Sequence, residues 1–390
     1  MRKSFKFKLY KNQKRDKLLR KQVRAAAGIY NHFLALNKRY YRRFKKSLSL
    51  YQAQKHLTKI KKLEKYSWMK ELGSQAAQEV LERIDKGYKK FFQDLKSGIR
   101  TSPPKFKASR KYKSFTLKQS GYSLLEGNRI KIGKKVFKFS KSREIEGEIK
   151  TLTIKRDSVG DWFLVFSCEL EEPIQKSNHK SGKIAGFDFG LKNFLTDHNG
   201  KPEESPEYLK KSLKKLKKLS RKLSKKKRNS NNRRRARVDL ARLHRKIANQ
   251  RHNFHFWLAR ELVSKYDVIF LEDLSLKGMS KLFGRKISDL GFSDFVRILE
   301  YQCLKYGALL HKIDRFYPSS QTCSNCLKIK EPKLELWERE WECGECGVIH
   351  DRDHNAAKNI LREGASSLGL CDGKTELRSA VSNSRIPLLQ

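Results

Sequence analysis

The chain has 390 residues, with 90 Lys and Arg against 41 Asp and Glu, a formal net charge of +49. Charge this dense repels itself unless a polyanion neutralises it, so nucleic acid is the expected partner; 22 Phe, 14 Tyr and 5 Trp are too many for a disordered tail. No apolar run could span a bilayer, the opening MRKSFKFKLYK lacks a secretory h-region, and cysteines in CxxC pairs suit a reducing compartment, which excludes membrane, secreted and collagen-like classes.

Phe5, Phe7 and Leu9 alternate with polar residues, predicting one strand with a basic outer face. From Lys17 to about Leu95 the spacing turns helical: Leu19, Val23, Ala26, Tyr30, Phe33 and Asn37 step by threes and fours, and so do Val80, Ile84, Tyr88, Phe91 and Leu95. A small helical bundle follows, broken at Ser102-Pro103-Pro104. Between Tyr112 and Leu170, RIKI (129–132), VFKF (136–139), IKTLTI (149–154) and WFLVFSCEL (162–170) read as short strands, a β-rich module that the first strand is expected to join from a distance. Pro173 to Ser181 reads as a polar linker. KIAGFDFGLKNFLTDHNG (183–200) predicts two strands joined at Gly190-Leu191-Lys192. Residues 207–264 return to helical spacing, split into a hairpin at Asn229 to Asn232. DVIFLEDL (267–274) reads as a buried strand, and helix Phe292–Tyr306, strand Ala308–Phe316 and a helix from about His354 follow. The last 25 residues or so read as loop.

Cys323-x2-Cys326, sixteen residues, then Cys343-x2-Cys346 is the strongest chemical signal. A CxxC turn supplies two ligands, and a hairpin of this length brings the second pair round to complete a tetrahedral Zn2+ site. Four thiolates leave no open position, so this zinc is expected to be structural. Gly344 and Gly347 suit a tight second turn, whereas the first carries Leu327. Cys168, Cys303 and Cys371 read as packing or surface thiols.

Three carboxylates stand where an element end would aim them at one point. Asp188 lies within IAGFDFG, Glu272 ends VIFLE, and Asp353 begins DHNAAKNIL. A carboxylate in an apolar strand is unfavourable unless it is paired or binds a metal. The choice lies between buried ion pairs and a divalent-metal site that activates water and clamps a phosphodiester. Asp273 and Asp351 are neighbours that could act instead; strand alternation points Asp273 away from Glu272.

Residues 210–251 hold 20 Lys and Arg against one acid, Asp239. The alternatives are a solvated, partly disordered run or a helix built to face a polyanion. Arg39-Tyr40-Tyr41-Arg42-Arg43 and Lys107 to Phe115 suit phosphate contact with stacking. His244, His252 and His255 read as surface histidines on a helix, and His350 as support for Asp351. GLCDGKT (369–375) is one residue short between its glycines for a phosphate loop.

FDFGLKNF with Asp188, IFLEDL with Glu272, and FYPSSQTCSNC…CGECGVIHDRDHNAAKNI with Asp353 resemble the three motifs of a RuvC-type nuclease, and more narrowly the TnpB family of transposon-encoded RNA-guided nucleases, relatives of type V CRISPR effectors. SQAAQEVLERIDKGYKKFF, PPKFKASRKYKSFTL and LHRKIANQRHNFHFWLA extend the likeness to about residues 1–365. Leu327 departs from the family's usual glycine, and the tail after Gly364 follows no family pattern. The resemblance implies a multidomain α/β, β and α fold. A helical recognition lobe (12–101) would stand with an OB-like β-barrel wedge (1–11 with 102–176). An RNase H-like RuvC nuclease (181–390) would carry a basic helical insert (207–264) and a zinc ribbon (about 318–350). It further implies Asp188, Glu272 and Asp353 as ligands of two Mg2+ ions, for which Mn2+ can stand in, and structural Zn2+ on Cys323, Cys326, Cys343 and Cys346. The implied partners are a guide RNA from the transposon end and double-stranded target DNA read beside a short adjacent motif, with no membrane, in a prokaryotic cytoplasm near the nucleoid. Competing readings are a nuclease-dead RNA-guided regulator, against which the intact carboxylates speak, a miniature type V effector, and a strand-joining transposase, whose acids would run Asp, Asp, Glu.

Overall fold

The computed structural model describes residues 2–170, 181–274, 276–335 and 337–370. The expected linker falls almost wholly outside the described residues, as do Cys371 and the tail from 371 onward. The chain divides into two compact units, Met1–Pro173 and Ile174–Gln390.

In the first unit, β1 (Arg2–Leu9) buries Phe5, Phe7 and Leu9 while Lys6 and Lys8 stay exposed. Three helices follow: α1 (Gln13–Phe44), α2 (Leu50–Ile60) and α3 (Ser74–Lys96). Asn12 caps α1 by accepting from the Arg15 N–H, and Ser49 and Gln52 form a reciprocal capping box on α2. The α3 stripe is buried only as far as Ile84; beyond it Phe92 and Leu95 are exposed. Six further strands are β2 (Ser114–Leu117), β3 (Tyr122–Leu125), β4 (Arg129–Ile132), β5 (Lys135–Ser140), β6 (Glu148–Arg156) and β7 (Trp162–Glu169). They form a seven-stranded, nearly closed barrel in the order β2-β6-β7-β1-β5-β4-β3. β1 enters antiparallel between β7 and β5, pairing Phe5 with Phe166 and Leu9 with Phe139. β2 and β3 were not anticipated; each has four residues, and β3 is largely exposed with no alternation to mark it. Arg83 joins bundle to barrel, bonding Glu79 on its own helix and the Thr116 hydroxyl on β2 at 2.8 Å.

The second unit is built on a five-stranded sheet of order β10-β9-β8-β11-β12. Its strands are β8 (Ile184–Asp188), β9 (Asn193–Asp197), β10 (Pro202–Glu204), β11 (Val268–Glu272) and β12 (Leu309–Ile313). β8, β11 and β12 run parallel; β9 is antiparallel to both its neighbours, β8 and β10, so β10 runs in the direction of the parallel set. β11 is buried from Val268 to Leu271, as a central strand covered on both faces requires. α4 (Tyr208–Ser224) and α5 (Asn231–Lys265) make the expected hairpin. α6 (Leu276–Leu290) was not anticipated; Gly278 and Gly284 interrupt its pattern, and it kinks at Phe283. α7 (Phe292–Tyr306) and α8 (Arg352–Ser367) complete the helices, and β13 (Glu340–Glu342) pairs with β14 (Ile349–Asp351) beside the cysteines. Among the described residues no helix is long and apolar enough to cross a membrane.

Candidate functional site

Asp188 and Glu272 end the adjacent parallel strands β8 and β11. The register pairs Phe270 with Gly186; two residues further along each strand, Glu272 stands beside Asp188 on the same face. α8 packs on that face. A methyl group on Gly186 would come within 2.6 Å of the Ala357 carbonyl, and one on Gly364 within 2.1 Å of the Phe270 ring. Two glycines thus let the helix lie close on the sheet. This brings Asp353, the second residue of α8, toward the strand ends.

Electrostatics record the convergence. Burial, then the negative fields of Asp353 and Glu272, push the Asp188 carboxyl up to about 7. Glu272 also rises to about 7, through burial and then Asp273. Asp353 is raised by burial, against the pull of Arg339, Arg352 and Lys192. Buried carboxyls raised in this way are relieved by a divalent cation, so the donor set suits one. Asp273 is ion-paired with Arg315, and Asp351 caps α8 by accepting from the His354 N–H at 2.8 Å; both have structural employment. The sequence reading missed Arg339, whose Nη1 lies 3.3 and 3.5 Å from the two Asp353 oxygens.

The four cysteine sulfurs lie within 4.8 Å of one another. Two matching turns present them. The Leu327 N–H donates to the Cys323 carbonyl (2.9 Å) and the Cys323 N–H to Lys328 (2.9 Å); the Gly347 N–H donates to Cys343 (2.8 Å) and the Cys343 N–H to Val348 (3.0 Å). The positions after each CxxC are left-handed alike, Leu327 at φ 67 and Gly347 at φ 69. Asn325 and the Val348 backbone pull the Cys346 thiol down to about 6. Cys326, against the Lys328 backbone contact, is pushed up to about 12 by burial and the neighbouring thiols. Four sulfurs this close together fit a soft cation. His350 is buried against Trp341, and its Nε2 lies 3.0 Å from Cys323 Sγ.

Helix α8 fastens the two sites together. Asn355 and Asn359, both buried, donate to the Thr322 carbonyl at 2.8 and 2.6 Å, and Asn355 accepts from the Ser324 N–H at 2.9 Å. The turn bearing Cys323 is therefore held by the helix that starts with Asp353.

The basic hairpin is ordered helix rather than a solvated coil. Ser230 caps α5, while Arg233 donates to the Leu223 and Lys226 carbonyls at the end of α4, at 2.9 and 2.7 Å. Asp289 accepts from the first α4 amides, Leu209 and Lys210. Leu216, Ala236 and Ile247 are buried, and most of its lysines and arginines stay exposed. His255 is a correction: it is 1% exposed, not on the surface. It packs on Phe194 and Phe295, and its Nε2–H donates to the Leu290 carbonyl at 2.9 Å. In the first unit Tyr41 and Phe44 are exposed beside arginines, whereas Tyr112 and Phe115 are core. Cys168 and Cys303 are buried thiols.

Three family descriptions match separate stretches of the chain: a helix-turn-helix domain of the OrfB/IS605 group over residues 1–46, the "Probable transposase" of the same group over 165–282, and the "Cas12f1-like, TNB domain" over 292–360. A Streptomyces pristinaespiralis protein named "Putative RNA-guided DNA endonuclease" is 29% identical over 397 residues, covering 100% of this chain and 96% of its own. An Escherichia coli K12 protein named "Putative RNA-guided DNA endonuclease InsQ" is 27% identical, covering 94% and 93%. The protein in a Cas12f1–sgRNA–target DNA complex shares the fold with a TM-score of 0.54 at 16% identity, covering 90% of this chain and 83% of that one. Its start, middle and cysteine-to-α8 stretch each match one of these family descriptions, and the relatives align over nearly its whole length, so the chain is similar to the TnpB family throughout.

Proposed function

We propose that this protein is an RNA-guided DNA endonuclease of a transposable element, with a RuvC-type centre at Asp188, Glu272 and Asp353. The observation that carries the reading is the convergence of these three carboxyls at the strand ends under α8, two of them raised to about 7. The order β10-β9-β8-β11-β12, with β9 alone antiparallel to the rest, suits an RNase H-like nuclease. Residues 1–11 with 102–176 are read as the wedge barrel, 12–101 as the recognition lobe, and 181–390 as the nuclease with its insert at 207–264 and zinc ribbon at about 318–350.

Asp188, Glu272 and Asp353 would hold Mg2+, which when bound polarises a phosphodiester and lowers the pKa of water. Arg339 and Lys192 bring positive charge to the Asp353 side of the centre, where a substrate phosphate would need it. Cys323, Cys326, Cys343 and Cys346 would hold structural Zn2+, with His350 donating to Cys323. The α4–α5 hairpin supplies the cationic surface for a nucleic-acid backbone. Its many phosphate contacts give affinity, while guide pairing selects the target beside a short adjacent motif.

The test is to purify the protein expressed from its locus with flanking DNA retained and to sequence the RNA bound to it. One defined RNA ending in a variable segment copied from beside the gene, with Mg2+-dependent cutting of a matched duplex, is expected. Heterogeneous RNA without an enriched species would sink the guided reading.

A further inference from the structure

Thr196 draws attention because its side chain is a hydroxyl with nothing to bond. It is 3% exposed, and its Oγ1 is fully enclosed without a hydrogen-bond partner. Buried hydroxyls are nearly always paired, so the missing partner calls for an explanation. Its position supplies one. The β8–β9 ladder sets Thr196 directly opposite Asp188. Directly opposed residues of an antiparallel pair share a face, with Cβ atoms about 4.5–5.5 Å apart. That face is the one on which Gly186 meets α8, so the hydroxyl and the carboxyl lie side by side under the helix that carries Asp353.

We propose that Thr196 is a positioning residue for Asp188. Its hydroxyl donates to the Asp188 carboxylate when a divalent cation is bound there, fixing which oxygen faces the cation. Asp188 already accepts a bond from the Phe189 backbone. Thr196 supplies a second donor, from the neighbouring strand. Valine has the same shape and the same strand preference, so only the hydroxyl distinguishes the two residues here. The inference rests on reading Asp188 as a metal ligand, and its test separates the two.

The experiment uses the full chain, stripped of nucleic acid at high salt, with Mn2+ as the probe and free Mn2+ measured by electron paramagnetic resonance. Asp188→Ala identifies the site by the binding it removes. Thr196→Val is expected to weaken that binding by about 10–100-fold, the range for groups that orient a metal ligand. Thr196→Ser should stay within about threefold of wild type. The metal-free melting temperature of Thr196→Val should be equal or higher, because an unpaired buried hydroxyl is lost. If Asp188→Ala removes Mn2+ binding and Thr196→Val binds as wild type does, the positioning role is wrong and the metal site stands. Should Thr196→Val lower the metal-free melting temperature and Thr196→Ser fail to restore affinity, Thr196 is structural only. Wild-type binding in Asp188→Ala would overturn the metal-site reading and this inference with it.

Discussion

The two candidate metal sites of the second unit are joined by one helix yet built on opposite plans. The cysteine cluster is local: two turns with near-identical hydrogen bonds and left-handed positions deliver four sulfurs from a stretch of 24 residues. The carboxylate centre is assembled from three elements spread from Asp188 to Asp353, and only the packing of α8 on Gly186 and Phe270 closes it. A local site is strained mainly in its own backbone. A dispersed site stores its tension between side chains, seen here as the Asp188 carboxyl raised by burial and then by Asp353 and Glu272. Metal should therefore matter to folding at the first site and to chemistry at the second.

Removing a carboxylate gives the largest effect. Asp188→Ala, Glu272→Ala or Asp353→Ala is expected to cut matched-duplex cleavage by at least about a thousandfold, roughly 4 kcal/mol of lost transition-state stabilisation. Guide-RNA affinity, measured by filter binding, should stay within about twofold. A variant that still cuts at a tenth of the wild-type rate would remove that residue from the centre.

Cys343→Ser tests the other plan. It should lose zinc and stability together, by about 3–5 kcal/mol on the scale of a structural ligand lost. Metal content by atomic emission and a melting curve on one preparation would check this. The bonds from Asn355 and Asn359 to Thr322 imply that cleavage falls as well, because the helix start bearing Asp353 loses its anchor. Full stability without zinc would break the contrast between the sites.

The difference in plan also decided what could be read from the sequence. CxxC spacing announces four ligands outright, and the strand patterns announced buried acids, since Phe187 and Phe189 flank Asp188 and the apolar run VIFL leads into Glu272. The alternation of Phe5, Phe7 and Leu9 revealed β1, but which strands receive it is a matter of long-range pairing that no local pattern encodes. Arg339 was invisible because an arginine in a basic chain carries no signal until a partner stands opposite. Thr196 was hidden likewise, its meaning resting on the register with Asp188. His255 was misread because its neighbours on α5 are basic, and the face it shares with Leu258, Ala259 and Leu262 is defined only by the Phe194 cluster. In the family comparisons, both the stretch ending in the cysteine-to-α8 region and the stretch holding Asp188 and Glu272 match.

His255 packs in the core between Phe194 and Phe295, and burial, despite the Leu290 carbonyl, lowers it to about 4, with Arg251 and His252 also opposing its charge and Asp294 favouring it. The unfolded chain binds this proton near pH 6.5 and the folded chain only near 4. Its contribution to stability is thus complete above about pH 6.5 and is lost as pH falls through 4, by about 2–3 kcal/mol. Melting curves between pH 7.5 and 4.5 should show this loss, and His255→Phe should reduce the slope. An unchanged slope would assign the acid sensitivity to other groups.

The smallest effect sharpens the contrast most finely, since it compares the two turns of one cluster. Leu327 and Gly347 occupy equivalent left-handed positions, φ 67 and φ 69, but only glycine reaches that region without strain. Leu327 is 54% exposed, so its side chain offers little burial in return. Leu327→Gly should therefore stabilise the zinc-loaded chain by about 0.5–1 kcal/mol, the relief of strain set against the greater freedom of glycine in the unfolded chain. Gly347→Leu should destabilise by a comparable or larger amount, because the second turn would acquire the strain the first already carries. Both are measurable by chemical denaturation at fixed zinc. If Leu327→Gly instead destabilises, the leucine is held by a contact within the zinc-loaded turn, and repeating the measurement with zinc withdrawn would test that.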